Sequence, residues 1–248
     1  PWNTNDFTED MLKKHKVAVF LSATITKEIF EMETKIHEKD VDLVEMESTF
    51  PAKNRPICFL DLVSFRKVDG GENRPELWEN IQDKIEKIMR VHKNERGVIL
   101  LTQYKQMDNL HDRKKDFPSE IWSRFIWDEK KKLHKIKEEH MKKHNSVTVT
   151  LQGQGTDLPD DESRFQIIVK APYVKETKSN TRRVKKQTEK FKERFWLKSV
   201  FRLIQYCGRS VRNKKDHAIT YILDKSARNM ARRNSDQIPK WFKRACWY

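Results

Sequence analysis

The chain has 248 residues, 29.9 kDa, and 52 Lys and Arg against 37 Asp and Glu, for a formal charge of +15. That length suits one large α/β domain or two small ones, and the cationic excess calls for a polyanion, with nucleic acid the commonest candidate. Apolar residues gathered in short runs argue against a disordered basic tail, none of these runs is long enough to span a membrane, and the N-terminus does not read as a signal peptide.

The chain opens at Pro1 with no initiator Met, which reads as a piece excised from something longer. In chain order, short β-rich runs occur at Val17–Leu21, Ile57–Val63, Val98–Thr102, Val147–Leu151, Phe165–Val169 and Ala218–Leu223. Between most of them lie segments with helical spacing, such as Leu77–Val91, where Ile81, Ile85, Ile88 and Met89 share one side. Strands that are apolar throughout and alternate with helices predict a mainly parallel sheet of about six strands, covered by helices on both faces. Gly70–Gly71 and Glu176–Thr181 are the best loop candidates. Residues 174–203 hold eleven Lys or Arg and three Glu, with Val184, Phe191 and Phe195 at helical spacing. They predict a long helix that docks an apolar stripe and turns a cationic face, including Lys185 and Lys186, outward.

Several clusters have both a functional and a structural reading. Phe125-Ile126-Trp127-Asp128-Glu129 mimics a strand ending in a metal-binding Asp-Glu, but it runs into Lys130–Lys132 and reads better as an aromatic core patch before a solvated helix. His140 and His144 are four apart, a spacing zinc could use, yet no third ligand stands near them. Trp122, Phe125, Trp127 and Trp241 read as core, whereas Tyr104 is the aromatic best placed for a nucleic acid. Cys58, Cys207 and Cys246 are scattered, which fits a reducing intracellular compartment (cytoplasmic, or nuclear in a eukaryote) and no disulfide framework or metal site of their own.

The most informative run is Gln205-Tyr-Cys-Gly-Arg-Ser-Val-Arg212, at the end of a predicted helix and just before an apolar strand. If the helix runs through it, Gln205 with Arg209, and Gly208 with Arg212, share one face. Two guanidinium groups and an amide aimed the same way suit a phosphate ester. Upstream, Gly153-Gln154-Gly155-Thr156-Asp157-Leu158-Pro159 follows a strand, where glycines let backbone N–H groups approach a phosphate and an Asp can orient an arginine. Thr102-Gln103-Tyr104 tips another strand, and Ser22-Ala23-Thr24 stands before a helix at Lys27–Glu33 that it could equally cap.

Taken together, these runs resemble motifs III, IV, V and VI of superfamily-two helicases, in the branch that includes XPD and DinG. They occur in order across residues 17–242, with Glu47–Pro51, Asn54–Pro56, Ile222–Lys225 and Ile238–Phe242 resembling the family's linker and tail. Gln154 stands where the branch usually has Glu, and Asp160 where it usually has Gly. The resemblance implies a second RecA-like motor domain over residues 1–248, with residues 1–50 including the linker from a first domain. It implies ATP with Mg2+ in the cleft between the two domains. Arg209 would be the arginine finger, Arg212 a second phosphate contact and Gln205 a γ-phosphate sensor, with Gly155, Asp157 and Gly208 lining the cleft. Ser22, Thr24, Thr102, Tyr104, Lys185 and Lys186 would face single-stranded or forked DNA, translocated 5′ to 3′.

The chain has six glycines and none precedes Lys, so it holds no phosphate-binding loop of the G-x-x-x-x-G-K-[ST] kind, and that element, with the metal-binding acid, would come from the first domain. Whether that half carries an iron–sulfur cluster is open. A non-enzymatic RecA-like module that holds nucleic acid, and an RNA-directed helicase domain, are the alternatives.

Overall fold

The apolar runs become parallel strands, and the helical stretches between them return the chain each time to the same edge. The structure, a computed structural model, describes residues 14–15, 17–22, 26–34, 36–66, 71–128, 133–151, 158–174 and 189–247. After helix α1 (Lys27–Thr34) the order is β1 (Ile57–Val63), α2 (Pro75–Val91), β2 (Gly97–Leu100), α3 (Tyr104–Asp112), α4 (Ser119–Trp122) and β3 (Phe125–Trp127). It continues through α5 (Leu133–Lys142), β4 (Val147–Thr150), β5 (Phe165–Ile168), α6 (Glu189–Cys207), β6 (Ile219–Asp224), α7 (Lys225–Arg233), α8 (Lys240–Ala245) and β7 (Cys246–Trp247). The seven strands form one sheet in the order β3-β4-β2-β5-β6-β1-β7, each pair parallel. This is the α/β architecture that the alternation of strand and helix predicts.

Alternating side chains send each strand into two cores. Val98 and Leu100 join Ile57, Phe59, Ile168 and Ile222 beneath Val200 and Ile204 of α6, Met230 of α7 and Phe242 of α8. Ile99 and Leu101 join Val147, Val149 and Ile167 beneath Trp78, Ile81, Ile85 and Met89 of α2 and Leu110 of α3. Helix α2 starts with Pro75 in its first turn, where a missing N–H leaves no helical bond unmade. Strand β1 carries an irregularity between Phe59 and Val63, with Asp61 at φ 49. Arg228 of α7 braces it, donating to Asp61 Oδ2 and to Phe59 O, each at 2.9 Å.

Three expectations are corrected. Val17–Leu21 is not a strand here: Val17, Val19 and Leu21 are exposed and no sheet partner lies beside them. The sheet has seven strands rather than about six: Phe125–Trp127, packed against the core as expected, also pairs with β4 as the edge strand β3, and the very short β7 was not foreseen. Helix α6 ends at Cys207, so Arg209 and Arg212 lie beyond it and share no helical face with Gln205 or Gly208. The predicted loop at Glu176–Thr181 and the 175–188 part of the basic helix lie outside the described residues.

Candidate functional site

Because every strand runs the same way, the helices return at the edge where strands begin, and this edge collects the polar segments ahead of β5 and β6. The turn after α6, residues 208–217, precedes β6; Leu158–Arg164 precedes β5; and β5 and β6 are neighbours. The two segments are joined through side chains. Asp216 is buried, and its Oδ2 accepts from the backbone N–H of Arg212 at 3.0 Å and of Asp160 at 3.1 Å. Its Oδ1 accepts from Arg164 Nη1 at 2.9 Å and His217 N at 2.8 Å. Asn213 Nδ2 donates to Asp160 Oδ1 at 3.0 Å. Deeper in, Ser210 Oγ lies 3.0 Å from Ser163 Oγ, while Gln166 Nε2 donates to Cys207 O and Thr220 Oγ1.

The candidate phosphate ligands divide by exposure. Arg209 is 7 % exposed and its guanidinium lies 5.5 Å from the centre of the Tyr206 ring, a cation–π distance. Burial pushes the Tyr206 hydroxyl up, with the Arg209 cation pulling the other way. Arg212 and Gln205 are exposed. Gly208 does not have a positive φ, and a Cβ there would meet Ile204 O at 3.5 Å and Gln205 O at 3.9 Å, ordinary contacts, so neither folding nor packing demands glycine at this position. Gln205, Arg209 and Arg212 lie within eight residues of one another in the chain, the first on the last turns of α6 and the two arginines on the turn that follows it. No group of three or more His, Cys, Asp or Glu arranged to hold a metal ion occurs among the described residues. Gly155 and Asp157 lie outside the described residues, although Leu158, next in the chain, is buried in the core beneath α6.

The opposite edge, where strands end, carries Thr102 and Tyr104. Tyr104 is 57 % exposed at the start of α3. Thr102 is engaged internally: its N–H and hydroxyl both donate to Gln106 Oε1, at 2.9 and 3.3 Å. Gln106 in turn donates to Glu72, which accepts from Lys170. The structure therefore separates the arginines from the Thr102–Tyr104 pair by the length of the strands. Ser22 sits in the exposed 17–22 segment; Thr24, Lys185 and Lys186 lie outside the described residues.

The remaining candidates are structural. His140 is 1 % exposed, its Nε2 donating to Glu162 O at 2.7 Å and its Nδ1 facing Ser146 and Thr148 hydroxyls at 3.0 Å. His144 lies beyond the end of α5, and both ring nitrogens of His140 are engaged within the fold. Asp128 is buried and accepts from Thr150 Oγ1 at 2.6 Å. Trp241, expected in the core, is partly buried against it and also stacks on Arg55 at 4.1 Å; burial lowers the Arg55 guanidinium to about 10. Sequence reasoning missed Asp216, Asn213, Ser163 and Ser210. The available signal was Asn213 and Asp216, both turn formers, immediately ahead of an apolar strand.

A family model described as helicase C-terminal domain matches residues 85–245. Among solved structures, one titled XPD helicase aligns with 73% of this chain and 33% of its own at 18% identity and a TM-score of 0.55. A second, S. cerevisiae Dbp5 bound to RNA and ADP BeF3, aligns with 87% of this chain and 47% of its own at 12% identity and a TM-score of 0.50. The chain thus spans between a third and a half of these similar structures, with which it shares a RecA-like helicase-domain fold. A comparison with curated proteins returned no match.

Proposed function

The chain belongs to the helicase C-terminal domain family, and on that premise we propose that it is the second motor domain of an ATP-driven DNA helicase of the XPD/DinG type. The observation that carries this reading is the turn after α6, which bears Arg209 and Arg212 and is tied through Asp216, by the backbone N–H groups of Arg212 and Asp160, to the segment ahead of β5. In the proposed motor a first RecA-like domain, joined through residues 1–50, supplies the phosphate loop and the acids that hold Mg2+. Arg212 and Gln205 bind the phosphates of ATP. Arg209 turns outward from Tyr206 when the two domains close, and its charge stabilises the γ-phosphoryl group during transfer. The bound metal would neutralise phosphate charge; none of its ligands is assigned to this chain. Tyr104 offers a face for base stacking at the opposite edge, and the basic surface tracks the strand. The three cysteines, scattered along the chain with no C-x-x-C, suit a reducing intracellular setting.

The test is ATP turnover. The 248-residue chain alone is expected to hydrolyse no ATP, and the full-length protein is expected to be stimulated by single-stranded DNA more than by single-stranded RNA. Turnover by the isolated chain would refute the half-motor reading; stronger stimulation by RNA would keep the motor and change its substrate. No helix among the described residues is long and apolar enough to cross a membrane, and the proposal involves none.

A further inference from the structure

Asp216 has a position that the phosphate-contact reading does not use. Its side chain is fully buried, yet one oxygen, Oδ2, receives backbone N–H groups from two segments far apart in sequence: Arg212 on the arginine turn and Asp160 on the run leading to β5. The other oxygen binds the Arg164 guanidinium, which neutralises the carboxylate where water cannot. Asp160 is held with a positive φ of 53, a conformation unfavourable for a residue with a side chain. The bonds from Asp216 and Asn213 fix it there. The same Asn213 shapes the turn itself, its Oδ1 accepting from Lys215 N and Asp216 N at 2.9 Å.

We propose that Asp216 is a positioning residue: a latch that makes the arginine turn and the end of the glycine-bearing segment a single rigid piece, so that Arg209 and Arg212 move with residues 158–163 when the nucleotide cleft closes. This rests on the proposed ATP role of Arg209 and Arg212, and acts through them rather than on the nucleotide. Both oxygens of Asp216 face N–H donors, so an amide in place of the carboxylate sets an NH2 group against a donor in either orientation. Asp216→Asn is therefore a small change in shape and a large one in bonding.

The experiment is Asp216→Asn in the full-length protein, read by amide hydrogen exchange and by kinetics. Exchange is expected to quicken about tenfold or more in peptides covering 158–164 and 209–217, and to stay unchanged in α2 and β2. ATP turnover should fall about tenfold or more in kcat, with KM for ATP rising several-fold as the Arg212 phosphate contact loosens and affinity for single-stranded DNA within about twofold of wild type. In the variant that also carries Arg209→Ala and Arg212→Ala, turnover should fall no further than with those two alanines alone, because the latch acts through those arginines. Unchanged exchange in the two segments, or losses that multiply in that combined variant, overturns the latch. Exchange that quickens throughout the domain also overturns it, since Asp216 would then merely support the fold.

If Asp216→Asn does not fold, Asn213→Ala at its exposed position cuts the outer bond to Asp160. The same two segments should then exchange several-fold faster, and no change there refutes the latch. Should Arg209→Ala leave turnover intact while Asp216→Asn still loosens both segments, the ATP role fails and the coupling of the segments stands.

Discussion

His140 shows what burial does to a titratable residue in this domain. Enclosure holds its imidazole below the ordinary range, and the neutral ring both donates to Glu162 O and accepts from a hydroxyl. The folded state therefore takes up a proton less readily than the unfolded chain. Its contribution to stability is full above the unfolded value of about 6.5 and is lost as pH falls below it towards the depressed folded value. The urea midpoint of the purified chain should drop between about pH 7.5 and pH 5.5, and drop less in His140→Gln. An equal drop in both proteins would place the sensitivity elsewhere. Residue identity alone did not reveal this role: the spacing to His144 offered a zinc pair with no third ligand near it, and only the fold brings Ser146, Thr148 and Glu162 around the ring. Asp160 is the opposite case. The resemblance implied a glycine at this position, and the positive φ of Asp160 is one that glycine adopts freely and that an Asp, able to bond locally, tolerates better than most residues.

Elements were legible where periodicity is strong. The one-sided stripe of Leu77–Val91 became α2 with Ile81, Ile85 and Met89 buried, and five of the predicted runs became strands. The failures have physical causes. Val17–Leu21 has strand composition, but composition does not supply a sheet edge to pair with. Phe125–Trp127 is three residues long, too short for alternation to register, and depends on β4. Helical spacing could be drawn through Gly208 to Arg212, whereas the chain turns after Cys207 so that Ser210 and Asp216 can bind Ser163 and Asp160. The junction of β6 and α7 carries a further prediction. Asp224 caps α7 through Ser226 N and also accepts from Ala171 N, each at 2.9 Å, while burial raises its pKa. Asp224→Ala would strand both buried N–H groups and should destabilise the domain by about 1–3 kcal/mol in urea unfolding. A change below about 0.5 kcal/mol would mean that water replaces the carboxylate there.

At the scale of the whole molecule, a parallel sheet gives the domain two working edges. The arginine turn and its latch lie where strands begin; Thr102 and Tyr104 lie where strands end. In the proposed motor this divides nucleotide chemistry from nucleic-acid contact, and the rigid sheet between them carries the coupling. The net charge of +15 was the first sign of a polyanionic partner, but it could not say which edge the partner meets. The most direct test of the motor reading is steady-state ATP turnover of the full-length protein with Arg209→Ala, in the presence of single-stranded DNA. The charge of Arg209 is needed in the transition state, so turnover is expected to fall about a thousandfold or more, with DNA affinity and thermal stability close to wild type. Turnover within a few-fold of wild type, or loss of the folded domain, would contradict it and leave Arg209 as a structural partner of Tyr206.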